Sequence, residues 1–446
     1  MNKQEIFSYI KNKYQGSALI QRFADGTLWS FCAGLIYNGT FLLVGILLSN
    51  LLGKYSYGQY GMVRSTVNMF LVFASFALGT TATKYVAEYR FANKEKTERI
   101  INLSLLVAIT LAFISGIICC LFSGYIANET LHTPSLIISL RLGALMIFVM
   151  TIYSVVNGVL IGYEEFFLIF KQNLIAAVFL LIGSSCGGYF FQLNGALCGL
   201  LLYLFISLGI GCYYLRKIYI REKLKFSFQG VVQEISVLWK FSLPTALGGL
   251  VYTPIIWIVN TILVNSPAGY EAMAGLDIIR QWYSSVLFLP TVAGRVVLPL
   301  LSNFSQATQA RSYNKVLLYS LLVNVGSALL IGTVLYLFSP ILLSMYGPSF
   351  ADLKNPLGIM MLVAVIFVAN SIVGQVILSK NYAWWGFLFN SIWATIFLLL
   401  NIYFVKEQNM GIIGVTCSYL ISYLLHTVIQ SMFCWLVLRN KLFLEN

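Results

Sequence analysis

The sequence predicts an all-α integral membrane protein with about twelve transmembrane helices, arranged as two six-helix lobes related by a parallel pseudo-twofold repeat. Composition is the first observation. Hydrophobic residues make up 59% of the 446 residues, charged residues only 10%, and mean hydropathy is +0.83. These values exclude a soluble globular domain. The other two observations are the length of the apolar runs and a weak similarity between the two halves of the chain.

The chain divides into five regions. Residues 1–25 lack the apolar run and cleavage site of a signal peptide, and they predict an amphipathic segment on the cytoplasmic membrane surface. The other regions are a first lobe, a basic cytoplasmic linker, a second lobe and a cytoplasmic tail, at residues 26–215, 216–240, 241–438 and 439–446.

Within the lobes, spans are predicted where apolar runs of about 20 residues lie between charged or turn-forming residues. The first lobe contains six such runs, at residues 26–49, 57–82, 100–123, 139–161, 170–191 and 195–215. The second lobe also contains six, at residues 241–264, 272–300, 316–338, 357–379, 386–405 and 411–436.

The distribution of lysine and arginine predicts the orientation, because cytoplasmic loops carry an excess of both. With the N-terminus inside the cell, most of the 28 basic residues fall on the cytoplasmic side, and only Lys54, Lys354 and Lys406 fall in opposite loops. Both termini are therefore expected in the cytoplasm. Topology and contact with anionic membrane lipids account for the net charge of +13, so no nucleic-acid partner is expected.

A weak internal repeat relates the two halves. One shift that aligns the second span with the eighth places Gly61 opposite Asp277 and Arg64 opposite Arg280. Because each half has an even number of spans, both halves enter the membrane in the same direction and the repeat is parallel. This arrangement predicts a cavity between the lobes.

Two segments carry a family resemblance, Leu52–Gly61 (LGKYSYGQYG) and Thr83–Arg90 (TKYVAEYR). With these segments and its span count, the chain resembles the O-antigen flippases of the polysaccharide transporter family, within the multidrug, oligosaccharidyl-lipid and polysaccharide exporter superfamily. The resemblance implies a bacterial inner-membrane protein whose first, second, seventh and eighth helices line a cavity. It also implies alternating access, a polyprenyl-diphosphate-linked oligosaccharide as substrate, and other polysaccharide-assembly proteins as partners.

Charged residues inside spans are the candidate functional residues, because a charge in the membrane is costly and usually faces a cavity or a partner. Arg64 lies in the second span, and Arg280 and Arg295 lie in the eighth. A guanidinium stays protonated, and its planar set of donors suits a diphosphate. These three arginines are therefore predicted to bind the substrate.

Each of these charges has a structural alternative. Arg295, and Arg141 in the fourth span, lie close enough to span ends for the guanidinium to reach the membrane interface. Asp277 lies three residues before Arg280 on one helix face. It is a candidate for ion coupling, and the alternative is a structural ion pair with Arg280.

Other function classes have less support. The sequence contains no G-x-x-x-x-G-K-[ST] nucleotide-binding loop, and His132 and His426 are isolated, so we expect no ATP-driven step, metal or cofactor. A drug exporter of the same superfamily is one alternative, although carboxylates would then be expected to dominate the cavity. A membrane glycan ligase or polymerase is another. The longest external loops, residues 124–138 and 339–356, are short for a catalytic site, so we expect no catalytic residues and no enzyme activity.

The predicted orientation can be tested by cysteine labelling in a variant without native cysteines. A reagent that does not cross the membrane should label Lys54→Cys, Lys354→Cys and Lys406→Cys from outside intact cells, because these positions lie in external loops. It should label Lys94→Cys and Lys223→Cys only after permeabilisation. External labelling at Lys94→Cys would overturn the orientation.

Overall fold

The computed structural model describes residues 18–294, 297, 310–380 and 382–438, and this part of the chain forms helices and turns without strands. The predicted cytoplasmic tail lies outside the described residues, as does the amphipathic segment up to residue 17. The helices are, in chain order, α1 (Ala18–Ser75), α2 (Leu78–Tyr89), α3 (Lys94–Tyr125), α4 (Ile137–Gly162), α5 (Phe166–Arg221), α6 (Leu243–Val264), α7 (Gly269–Gly294), α8 (Ala310–Leu337), α9 (Ser339–Ser344), α10 (Lys354–Ser379), α11 (Ala383–Asn401) and α12 (Gly411–Phe433). Short 3₁₀ and π turns connect or extend them at Ile126–Thr130, Pro134–Leu136, Val231–Glu234, Leu238–Ser242, Pro348–Leu353, Ile402–Glu407 and Cys434–Leu438.

The predicted number of spans agrees with this architecture. Nine helical stretches of the described chain are long and apolar enough to cross a membrane. Two of them, Asp25–Ser75 and Phe166–Arg221, are kinked and long enough to cross twice. The other seven stretches cross once each. Together with α7, which carries charges at its centre and is not among the nine, they give twelve passes. The prediction of an all-α membrane fold with two six-helix lobes is therefore confirmed.

Local backbone conformation sets the kinks. Within α1, Gly53 has φ 74° and ψ 167°, a combination that a residue with a Cβ rarely adopts, and it separates two arms, residues 18–52 and 54–75. Within α5, the break falls at Phe191 and Gln192, where the sequence predicts the turn between the fifth and sixth spans. α5 then continues to Arg221, beyond the predicted start of the linker at residue 216.

The predicted end of the second span at residue 82 is wrong. α1 ends at Ser75, and a separate helix, α2, begins at Leu78. The cause is that Phe76 and Ala77 have φ of 43° and 53°, left-handed values that interrupt a right-handed helix. An apolar composition continues across this break, so hydropathy alone does not reveal it.

The two arms of α5 pack through small residues. Gly183 and Gly187 on one arm face Gly199 and Gly195 on the other. The two glycines of each arm are four residues apart, a spacing that lets membrane helices approach closely. A Cβ added to Gly199 would lie 2.3 Å from the carbonyl carbon of Gly183, and one added to Gly187 would lie 2.1 Å from the oxygen of Gly195. The hairpin therefore has no room for larger side chains.

The basic linker is bound to α3 through specific hydrogen bonds. The buried Asn102 donates from Nδ2 to the carbonyl oxygens of Lys225 and Ser227, both at 3.0 Å. Its Oδ1 accepts from the hydroxyl of Tyr219 at 2.7 Å. Glu98 accepts from the Lys225 backbone N–H at 2.7 Å. The segment joining the lobes is thus held against the first lobe.

The α5 hairpin provides a test of the packing. Gly199→Ala should destabilise the protein by about 1–3 kcal/mol, because the added methyl collides with backbone atoms that cannot move independently. Gly209→Ala in the same helix is the matched control, since a Cβ there meets no atom within 4 Å. Thermal unfolding of the purified proteins in detergent compares the two. Equal melting temperatures would contradict the tight helix contact.

Candidate functional site

A cavity of about 520 Å³ lies between the lobes. Its walls come from the second arm of α1, from α6 and α7, and from α12. The polar and charged residues that line it are Arg64, Ser65, Asn68, Ser75, Tyr252, Thr253, Asn260, Asp277, Arg280, Tyr283, Ser284 and Tyr419. On α1 and on α7 the lining residues, polar and apolar together, follow the three- to four-residue repeat of one helix face.

Arg64 and Asp277 form an ion pair across the two lobes. Arg64 Nη1 lies 3.4 Å from Asp277 Oδ2, and the two side chains are 30% and 16% exposed. The guanidinium carbon of Arg64 also lies 5.7 Å from the ring centroid of Phe41 and 5.5 Å from that of Tyr60, within cation–π range. The sequence alternative of an ion pair between Asp277 and Arg280 is therefore wrong, because the carboxylate contacts the arginine of the opposite lobe.

Arg280 lies on the same cavity wall as Asp277 but has a different partner. Its Nη2 donates to the hydroxyl of Tyr419 at 3.3 Å, and its guanidinium carbon lies 6.0 Å from the centre of the Tyr419 ring. Among the described residues, no carboxylate lies within ion-pair distance of Arg280. Within the described part of the chain its other donors make no hydrogen bond, so they are available to bind an anion in the cavity.

The sequence points to two other intramembrane arginines, Arg295 and Arg141. Arg295 lies outside the described residues, so its predicted role stays a prediction. Arg141 lies near the start of α4 and is exposed, as expected of a side chain that reaches the membrane interface. Two guanidinium groups and one carboxylate thus line the central cavity, and the net charge of its described lining is positive.

One set of contacts between the lobes lies at an end of the cavity that we call the Lys54 end. It comprises residues 49–57, 126–133, 265–270 and 345–352. Five cross-lobe hydrogen bonds lie here: Ser49 Oγ to Tyr346 O at 3.1 Å, Asn50 Nδ2 to Met345 O at 2.8 Å, Lys54 Nζ to Ser349 O at 2.8 Å, Asn265 Nδ2 to Thr130 O at 2.8 Å and Tyr270 Oη to Leu131 O at 3.4 Å. Lys54 also pairs with Asp352 at 3.7 Å.

Burial along the cavity helices differs between the two ends of the cavity. Residues 57–63 of α1 and 272–276 of α7, on the side of the Lys54 end, are all buried. Beyond the charged residues, Tyr252, Phe73 and Ser284 are exposed. Gln281 adds contacts toward the Lys54 end, donating to the Tyr57 hydroxyl at 2.8 Å and accepting from the Tyr346 hydroxyl at 3.3 Å. The described helices are therefore more closely packed at the Lys54 end, while at the opposite end the lobes meet through a hydrogen bond between the Thr81 and Ser242 hydroxyls (2.7 Å) and a ring contact between Tyr85 and Phe241.

A second cavity of about 550 Å³ lies inside the first lobe, between α1, α2, α4 and α5. It shares Arg64, Asn68 and Leu71 with the central cavity, so the two are neighbours on either side of one arginine. The sequence predicted the arginines of the site. It predicted neither the first-lobe cavity nor the tyrosines of the central cavity, because uncharged residues in membrane spans are too common to indicate a site.

With this geometry established, comparison with known proteins identifies the family. The family model described as "Polysaccharide biosynthesis protein" matches residues 23–305. The chain belongs to this family. The match includes both arms of α1 and all of α7, which carry the cavity charges.

Individual relatives are distant. The EPS I polysaccharide export inner membrane protein EpsE of Ralstonia nicotianae is 23% identical over 171 residues, and the match spans 37% of this chain and only 38% of that protein's length. Among solved structures, an inward-facing multidrug resistance MATE family transporter of the MOP superfamily has TM-score 0.74 at 16% identity, covering 89% of this chain and 94% of its own. A MOP superfamily transporter from Pyrococcus furiosus, described as having a binding pocket of reverse polarity, has TM-score 0.66 at 14% identity, covering 92% and 95%.

These findings confirm the resemblance drawn from the sequence at the level of family and superfamily fold. The chain is thus a membrane protein of a polysaccharide biosynthesis family, and its helical fold is similar to that of MOP superfamily transporters.

Proposed function

We propose that this protein is a flippase that moves a polyprenyl-diphosphate-linked oligosaccharide, an O-antigen repeat unit, from the cytoplasmic to the periplasmic leaflet of a bacterial inner membrane. The observation that carries the proposal is the positive cavity between the lobes, in which Arg64 and Arg280 face the same space. Guanidinium groups bind phosphate oxygens through paired, charge-assisted hydrogen bonds. Family membership supports a polysaccharide precursor as the substrate class.

Access to the cavity supports the direction of transport. With the termini in the cytoplasm, as the basic residues predict, the Lys54 end is periplasmic, and the less closely packed end of the cavity helices is the cytoplasmic one, where the precursor would enter. Outward movement of an anion in a negative-inside cell gains about 2.3 kcal/mol per charge for each 100 mV of membrane potential. The membrane potential therefore favours export of the diphosphate.

Asp277 is proposed as the ion-coupling residue. Its carboxylate and a substrate diphosphate would compete for Arg64, since both are anions and Asp277 lies 3.4 Å from that guanidinium. When Arg64 binds phosphate, Asp277 loses its counter-charge and binds a cation more readily. Substrate binding and cation binding are thereby linked through one arginine.

A drug exporter of the same superfamily is the alternative, and the fold likeness to multidrug transporters is the observation in its favour. A cationic drug would need a free carboxylate in the cavity. The carboxylate that lines it is already paired with Arg64, and Arg280 adds a second positive charge. The charge of the described lining therefore favours an anionic substrate.

Substitution of the two arginines tests the proposed function in proteoliposomes loaded with a polyprenyl-diphosphate oligosaccharide. Arg64→Ala and Arg280→Ala should each lower outward exposure of the lipid per folded molecule by about 10-fold or more, as expected for loss of a charged hydrogen-bonded contact worth about 1.5–3 kcal/mol. Arg→Lys should retain part of the activity, because the charge remains while the bidentate geometry is lost.

Two further variants separate substrate binding from folding. Arg64→Ala combined with Asp277→Asn removes both charges of the pair, so no buried carboxylate is left alone, and transport should still be low. Arg141→Ala is the matched control, since this arginine is exposed outside the cavity. Normal transport per folded molecule in an Arg64→Ala, Arg280→Ala double variant would overturn the proposal.

The coupling role of Asp277 predicts a distinct phenotype. Asp277→Asn should bind the diphosphate lipid at least as tightly as the unsubstituted protein, because the competing anion is gone. Its transport rate should no longer respond to an imposed pH or sodium gradient. The measurement is initial transport rate with and without each gradient. An unchanged response to the gradients would exclude Asp277 as the coupling group.

A further inference from the structure

The cavity inside the first lobe has a lining unlike that of the charged central cavity. Four aromatic side chains, those of Tyr37, Phe41, Tyr153 and Tyr203, contribute to it. Between them lie hydroxyl and amide groups, which belong to Asn68, Thr80, Thr83, Ser154 and Asn157. Arg64 is its one charged lining residue. Aromatic rings with both apolar faces and polar edges, interleaved with hydrogen-bonding groups, suit a ligand with the same mixture of surfaces.

The wall of this cavity is rigid where α2 crosses α4. Gly79 and Gly158 meet at the crossing, and a Cβ on Gly158 would lie 2.2 Å from the Gly79 oxygen. Thr83 Oγ1 donates to the carbonyl oxygen of Gly158 at 3.0 Å. These contacts fix Asn157, the residue before Gly158, at the edge of the cavity. A fixed polar group gives specificity at a lower entropic cost than a mobile one.

Asn157 has an unsatisfied hydrogen-bonding group at this position. Its buried Oδ1 has no hydrogen-bond partner within the described part of the chain. A buried acceptor without a partner costs about 1–3 kcal/mol, and a turn of the amide toward the cavity would let a ligand hydroxyl supply the missing donor. Ser154 donates its own hydroxyl to Thr151 O at 2.8 Å, which leaves the Ser154 oxygen as a second acceptor.

We propose that the first-lobe cavity is the sugar subsite, which binds the saccharide next to the diphosphate while Arg64 and Arg280 bind the phosphates. This inference rests on the proposed function. Since Arg64 lines both cavities, a phosphate held there places the attached sugar at the entrance of the first-lobe cavity. The sugar hydroxyls donate to Asn157 Oδ1 and Ser154 Oγ, and the sugar ring faces pack on Tyr37 and Tyr153.

The lining argues against the polyprenyl chain as the occupant. Hydrocarbon in this cavity would leave the amides of Asn68 and Asn157 and the hydroxyl of Thr80 against apolar atoms, at a cost of about 1–3 kcal/mol for each polar group without a partner. The polyprenyl chain also has a less costly location. The central cavity lies between the lobes, so a lipid tail can extend from it into the surrounding membrane.

Binding to the full-length protein in nanodiscs tests the subsite with two probes, polyprenyl diphosphate without sugar and the same lipid carrying the oligosaccharide. The unsubstituted protein should bind the glycosylated probe about 10-fold more tightly. Asn157→Leu and Tyr153→Ala should each lose most of this difference while binding the bare lipid normally. Tyr189→Ala, at a side chain that is 67% exposed, is the control and should keep the difference.

The outcomes separate the subsite from the proposed function. Equal binding of both probes by the unsubstituted protein, or an unchanged difference in Asn157→Leu, would overturn the sugar subsite while leaving the diphosphate site intact. Tighter binding of both probes by Asn157→Leu would assign the cavity to the polyprenyl chain instead. If neither probe binds to the unsubstituted protein, the proposed function and the subsite are overturned together.

Discussion

The cost of a charge within a membrane-spanning helix is the constraint on which the centre of this protein depends. Arg64 and Arg280 are stable there only with partners, water or a ligand. Arg64 contacts the Asp277 carboxylate on α7 and two aromatic ring faces, and Arg280 donates a hydrogen bond to the Tyr419 hydroxyl on α12. Because Asp277 and Arg64 lie on different lobes, the same contact that satisfies the charge also holds the lobes together beside the cavity. The proposed substrate contact and the contact between the lobes therefore depend on the same residue.

The pseudo-twofold repeat explains why these charges meet. Gly58 lies against Ala274 and Gly61 lies against Asp277, and each pair consists of residues made equivalent by the shift that aligns Arg64 with Arg280. Equivalent residues touch only close to a symmetry axis, so the axis passes between α1 and α7. Glycine on α1 lets the two helices approach closely. The sequences differ at the pair of Gly61 and Asp277, and this difference gives one lobe a carboxylate that the other lacks.

Sequence patterns predicted the features that depend on composition and spacing. Span count, the breaks near Gly53 and Gln192, and the common cavity position of Arg64 and Arg280 all follow from hydropathy, charge and the repeat. Features that depend on distant pairings could not be predicted in this way. The partner of Asp277 lies more than 200 residues away in the chain, and the first-lobe cavity is formed by uncharged residues whose types are common in any membrane helix.

Ligand binding at Arg64 would change the balance of forces between the lobes. At the Lys54 end, mostly neutral hydrogen bonds to backbone carbonyl oxygens join them, each worth about 0.5–1.5 kcal/mol net. The Arg64–Asp277 pair adds a charged contact next to the cavity. A diphosphate that binds Arg64 in place of Asp277 removes this contact between the lobes. A ligand shifts a conformational equilibrium only if it interacts more favourably with one of the two states, and the loss of the Arg64–Asp277 contact provides such a difference. Arg64 is therefore the residue through which binding of an anion can act on the contact between the lobes, whereas Arg280, with its partner Tyr419 in its own lobe, can bind the anion without that effect.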